Sequence, residues 1–121
     1  MNSTILLVTL AVLIAFLLLK RMGQISAGAA ADHLKHGALL IDVRSAGEFS
    51  AGHLRSAINM PLDQIETLVP RRVKDKNQVL LLHCQSGARS GAAKKRLVAL
   101  GYTQAYNLGS YNRAARIVGA A

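Results

Sequence analysis

Three patterns of apolar and polar positions divide the chain. From Ile5 to Leu19 it is apolar throughout, interrupted only by Thr9. Beyond Gly23 and Gln24, short apolar runs alternate with stretches of helical spacing. The runs Ala38 to Val43 (ALLIDV) and Gln78 to His83 (QVLLLH) are continuous, the pattern of strands buried on both faces of a parallel sheet. Ala57 to Asn59, stopped by Pro61, and Ala105 to Leu108 predict two shorter strands. Helices are predicted over Ala27 to His36, capped by Ser26 and closed by Gly37, and over Leu62 to Val69, ended by Pro70. A helical turn is expected over Ser45 to Ala51, up to Gly52. Ser90 to Leu100 is amphipathic, with Ala92, Ala93, Leu97 and Leu100 on one face and Lys94, Lys95 and Arg96 on the other. Alternation of this kind predicts an α/β domain with a mainly parallel central sheet flanked by helices.

The apolar start reads as one transmembrane helix. Its strongly apolar residues sum to roughly −4 to −7 kcal/mol for insertion. The run itself covers about 22 Å at helical rise, and the residues flanking it, Met1 to Thr4 and Met22, bring it close to the usual span. Lys20 and Arg21 follow the run and no basic residue precedes it. That order favours an uncleaved anchor over a cleaved signal peptide, whose small-residue cleavage site could otherwise fall in Ala27 to Ala31. The expected organisation is a transmembrane anchor over 1–22 and one domain over 23–121. The membrane is then a partner through the N-terminal helix, with a single-pass topology and the domain on the cytoplasmic side.

About a hundred residues remain for the domain, near the usual size for one core. Net charge is +9, from fifteen Lys and Arg against six Asp and Glu. Without aromatic interleaving or a recognition motif, this basicity does not point to nucleic acid. It suits small anionic substrates, and in an anchored domain anionic headgroups. No metal-ligand spacing is present, and no metal or organic cofactor is expected. Cys84 is the only cysteine, so it has no disulfide partner in the chain and whatever it carries must leave on an external acceptor.

Cys84 falls at the C-terminal tip of a predicted buried strand, the edge where open α/β sheets bind ligands. Gln85, Ser86, Gly87, Ala88 and Arg89 separate it from the next helix. A loop of this length, with Gly87 and the small Ala88, lets successive backbone N–H groups converge on the sulfur. The positive end of the helix dipole adds to them, and both favour thiolate over thiol. Arg89 places a fixed cation at the helix start, where it suits an anionic ligand better than the dipole.

These segments resemble the single-domain rhodanese-like, or thiosulfate sulfurtransferase, family. The matching stretches are LLIDVRSAGEFSAGHLRSAINMPL (Leu39 to Leu62), HCQSGARS (His83 to Ser90) and LVALGYTQAYNL (Leu97 to Leu108). The resemblance implies a three-layer α/β domain and a persulfide mechanism on Cys84. A small anionic donor such as thiosulfate would supply sulfane sulfur, and cyanide, a thiol or a sulfur-accepting protein would remove it. The N–H groups of Gln85 to Arg89 would hold the persulfide, and Arg89 the donor. A membrane-tethered sulfur carrier with little free turnover is the alternative. Related cysteine phosphatases and arsenate reductases place five residues between Cys and Arg, whereas four separate Cys84 from Arg89.

Asp42 and Arg44 match the family's DVR and are expected as a buried charge pair that organises loops, with Glu48 nearby. His53 is expected to pack a loop. His83 is expected to face the core, since neighbouring strand residues point to opposite faces. The end of the chain departs from the family: Leu108, Gly109, Ser110 and Tyr111 stand where many members have a Gly-Gly pair and then Trp, and no Trp occurs. The closing helix and one wall of the site are therefore the least specified parts.

Overall fold

The protein's structure is a computed structural model that describes residues 2–120. Four parallel strands, β1 (Leu39–Asp42), β2 (Ile58–Asn59), β3 (Leu80–His83) and β4 (Ala105–Gly109), form one sheet in the order β2-β1-β3-β4. Among the described residues six helices accompany it: α1 (Ser3–Met22), α2 (Ala27–Lys35), α3 (Ala46–Ala51), α4 (Ile65–Arg72), α5 (Ala88–Ala99) and α6 (Tyr111–Ala120). A 3-10 turn, Leu62–Gln64, leads into α4.

The two central strands are buried on both sides, as their unbroken apolar runs require. Alternation along them builds two cores. Ile41, Leu80 and Leu82 pack with Ile65, Val69, Ala93 and Leu97 of α4 and α5. Leu40 and Leu81 pack with Ala30 of α2 and with Ala114 and Ile117 of α6. The three layers expected of an α/β domain follow directly.

One local expectation changes and one open point is filled. Pro70 lies inside α4 instead of ending it. It forfeits one helical hydrogen bond, while Ile65 and Val69 stay fully buried on one face and carry the helix to Arg72. The C-terminal segment forms a full helix without the family's Trp, because Ala114 and Ile117 fill that side of the sheet.

The transmembrane expectation is overturned. Among the described residues no helix is long and apolar enough to cross a membrane. The physical reason is length: at 1.5 Å per residue the run from Ile5 to Leu19 reaches about 22 Å, against about 30 Å of hydrocarbon. Polar Asn2, Ser3 and Thr4 precede it and Lys20 and Arg21 follow it. The transmembrane helix and the single-pass placement with a cytoplasmic domain fall with it. In the structure α1 is an exposed apolar helix, with Ile5, Leu10, Phe16 and Leu19 each at least half accessible.

Candidate active site

Cys84 follows the last residue of β3, on the side of the sheet that faces α4 and α5. Its neighbour His83 faces the other way, as strand alternation requires. The chain then turns through Gly87, whose φ of 98° is left-handed, and enters α5 at Ala88, two residues earlier than the apolar pattern predicts. A Cβ at Gly87 would stand 3.2 Å from Gln24 Nε2 and 3.4 Å from the backbone of Gly109, so the close approach itself calls for glycine.

The sulfur is fully buried and ringed by donors. Gly87 N–H donates to Cys84 Sγ at 3.0 Å, and the Ser90 hydroxyl lies 3.5 Å away. Burial pushes the thiol up. The Ser90 hydroxyl, with the backbone N–H groups of Ser90, Gly87 and Ser86, more than offsets this and leaves Cys84 below the ordinary cysteine range.

Asn107 on β4 braces this ring. Its Nδ2 donates to the Gly87 carbonyl at 3.1 Å, and its Oδ1 accepts from Gly109 N–H at 2.9 Å and from the Ser90 hydroxyl at 2.7 Å. Gly109 N–H can only donate and a carbonyl can only accept, so the amide has one orientation. Cys84 N–H donates to the Gly109 carbonyl at 3.2 Å, and Tyr111 N–H to the Gln85 carbonyl at 3.3 Å. The loop is thus tied to the last strand and to the start of α6. Neither Ser90 nor Asn107 stood out in the sequence; the only hint was a polar residue inside an otherwise apolar strand.

Asp42 and Arg44 form a buried pair beside the loop. Arg44 donates from Nε and Nη2 to the Asp42 carboxylate at 3.0 and 2.8 Å, and from Nη2 to the Gly52 carbonyl at 2.8 Å. The bonds to Asp42 raise the guanidinium further above its already high range. Arg44 also reaches Gln85 Oε1 at 3.4 Å and lies over the Tyr111 ring, 4.8 Å from its centroid. His53 stacks on Phe49 and contacts its carbonyl at 2.9 Å, which is loop packing. His83 Nδ1 lies 3.2 Å from the Cys84 carbonyl, which can only accept, so this nitrogen donates. Burial pushes the ring down, and its Nε2, 3.7 Å from Asp42, has no hydrogen-bond partner among the described residues.

Arg89 is engaged from a different direction. Its Nη1 and Nη2 donate to the two oxygens of Glu48 at 2.6 and 3.0 Å. Glu48 is itself the third residue of a capping box on α3: it accepts from Ser45 N–H at 3.1 Å and donates its own N–H to Ser45 Oγ at 3.2 Å. The bonds from Arg89 and Ser45 hold its carboxyl down to about 2. Of the predicted loop residues, Ser86 and Gly87 turn N–H groups on the sulfur, Gln85 binds through its side chain to Arg44, Ala88 begins α5 and Arg89 pairs with Glu48.

Comparison with known proteins places this geometry. Thiosulfate sulfurtransferase PspE of Escherichia coli K12 is 38% identical over 69 residues, 57% of this chain and 66% of its own. The chain therefore spans slightly less than two thirds of that relative. A rhodanese from E. coli, solved with anions, superposes with a TM-score of 0.61 at 34% identity, covering 64% of this chain and 91% of that one. The human single-domain sulfurtransferase TSTD1 gives 0.64 at 28% identity, covering 78% and 96%. Residues 26–115 match the model of the rhodanese-like domain, and the chain belongs to that family.

Proposed function

We propose that this protein is a sulfurtransferase that carries sulfane sulfur as a persulfide on Cys84. The observation that carries the reading is the sulfur's setting: Gly87 N–H at 3.0 Å, with the thiol drawn below its ordinary range at the end of a buried strand. The Cys84 thiolate attacks the outer sulfur of thiosulfate, a new S–S bond forms, and the old one breaks to release sulfite. The persulfide anion left on Cys84 is held by the same N–H groups of Ser86, Gly87 and Ser90. A thiolate or cyanide then attacks the terminal sulfur, leaving as a persulfide or thiocyanate and restoring the Cys84 thiolate. Asp42 and Arg44 act through Gln85 as supports of the loop.

Four residues separate Cys84 from Arg89, and the loop closes around one sulfur. That supports sulfur transfer over phosphate or arsenate chemistry. The test is intact mass of the full chain after incubation with thiosulfate. The expected result is a gain of about 32 Da, one sulfur, that cyanide removes and that Cys84→Ser abolishes. Steady thiocyanate formation in the same mixture separates the enzyme from a carrier that loads without turning over. No loading from any sulfane donor would refute the reading.

A further inference from the structure

Outward from the sulfur, the charges around the loop are paired off. Arg44 is held by Asp42, and the fork of Arg89 by both oxygens of Glu48. The Arg89–Glu48 pair is built in. Its two side chains are 38% and 36% accessible, yet Glu48 is fixed from behind by Ser45 N–H and the Ser45 hydroxyl at 3.1 and 3.0 Å. A carboxylate held by two elements, α3 and α5, does not follow a swinging arginine. Arg89 lies within electrostatic reach of Cys84. A donor approaching the sulfur therefore meets a cation whose charge is already matched.

Resting on the sulfurtransferase reading above, we infer that Glu48 is a positioning residue that neutralises Arg89 and tunes the site toward sulfane donors of low charge. Monoanionic or neutral species, such as thiosulfonates and organic persulfides, are favoured over the thiosulfate dianion. The sulfur is transferred in the same way from either class: the Cys84 thiolate bonds to the outer sulfur, and sulfite leaves from thiosulfate or a sulfinate from a thiosulfonate. Only the charge brought into the site differs. One unit of charge about 6 Å from an unmatched guanidinium in wet surroundings changes an affinity about fivefold.

The experiment compares kcat/KM for thiosulfate with that for methanethiosulfonate, a monoanion with the same transferable sulfur, in the full chain and in Glu48→Gln. Glutamine at this position keeps the capping box, so the variant is expected to fold. The ratio of thiosulfate to methanethiosulfonate should rise about fivefold in Glu48→Gln. It should fall in Arg89→Gln, which leaves the carboxylate alone beside the loop. A measurement independent of sulfur transfer runs in parallel: alkylation of Cys84 by iodoacetate relative to iodoacetamide, expected to rise in Glu48→Gln by a similar factor. A purely structural role for Glu48 would slow both reagents and both donors together. If sulfur loads but both ratios move less than twofold, Glu48 does not set donor charge and the inference is overturned. If no donor loads Cys84 in any variant, the sulfurtransferase reading fails and the inference with it.

Discussion

Asn107→Ala tests whether the thiol ring is braced from β4. Asn107 is 6% accessible, and its amide serves three backbone or hydroxyl partners. The cost follows from what each partner can do afterwards. The Gly87 carbonyl keeps the N–H of Gly91 at 3.1 Å and the Ser90 hydroxyl at 3.1 Å, so it is not orphaned. Ser90 has other acceptors, Cys84 Sγ and the Gly109 carbonyl, each at 3.5 Å. Gly109 N–H loses the acceptor that Asn107 Oδ1 gives it, at about 1 kcal/mol. Losing the bond to Gly87 adds about 1 kcal/mol. The sum is about 2 kcal/mol, a large share of the roughly 5–15 kcal/mol that holds a domain together. Urea unfolding followed by far-UV circular dichroism measures it, with an unchanged slope showing that the folded state keeps its extent. Asn107→Asp should cost at least as much, because its second oxygen would face the Gly87 carbonyl. A loss below about 0.5 kcal/mol in Asn107→Ala would refute the bracing.

Three further outcomes are expected. Ser90→Ala removes the side-chain donor that opposes burial at the thiol, so the midpoint of Cys84 alkylation by iodoacetamide should move to higher pH; an unchanged midpoint would show that the backbone N–H groups suffice alone. Asp42→Ala leaves the buried Arg44 guanidinium without its counter-charge and should cost about 3–5 kcal/mol in the same unfolding assay. Glu48 sits at about 2 in the fold against an ordinary 4.5, so its contribution is present above pH 4.5 and is lost as pH falls from there toward 2; acid unfolding of Glu48→Gln should lack that part of the slope.

Much of this arrangement could be read from local pattern. Unbroken apolar runs identified the two central strands because each is buried on both faces, and Cys84 followed as the residue at a strand tip. Gly87 was legible because a left-handed turn needs it. Longer-range features were not. The serine and glutamate of the α3 capping box stand three apart in the sequence, but nothing local says that Glu48 also grips Arg89 on another helix. Asn107 shows only as a polar break in an apolar strand. The apolar start reads as a membrane span by residue type, while its strictly apolar length of about 22 Å falls short of the hydrocarbon thickness. Pro70 reads as a stop, but two buried residues on one helix face outweigh a single missing hydrogen bond.

The tie between the Cys84 loop and the last strand has a consequence for how the protein is made. Cys84 N–H is anchored on the Gly109 carbonyl, Gln85 on Tyr111 N–H, and Ser90 on Asn107. On the ribosome all three partners emerge after the cysteine does. Until β4 docks beside β3 the loop has no frame, and the thiol has the ordinary acidity of an unfolded chain. Reactivity therefore arrives only once β4 and the start of α6 have emerged, and a chain halted before them offers passing oxidants and sulfane sulfur a mostly protonated, poorly nucleophilic thiol.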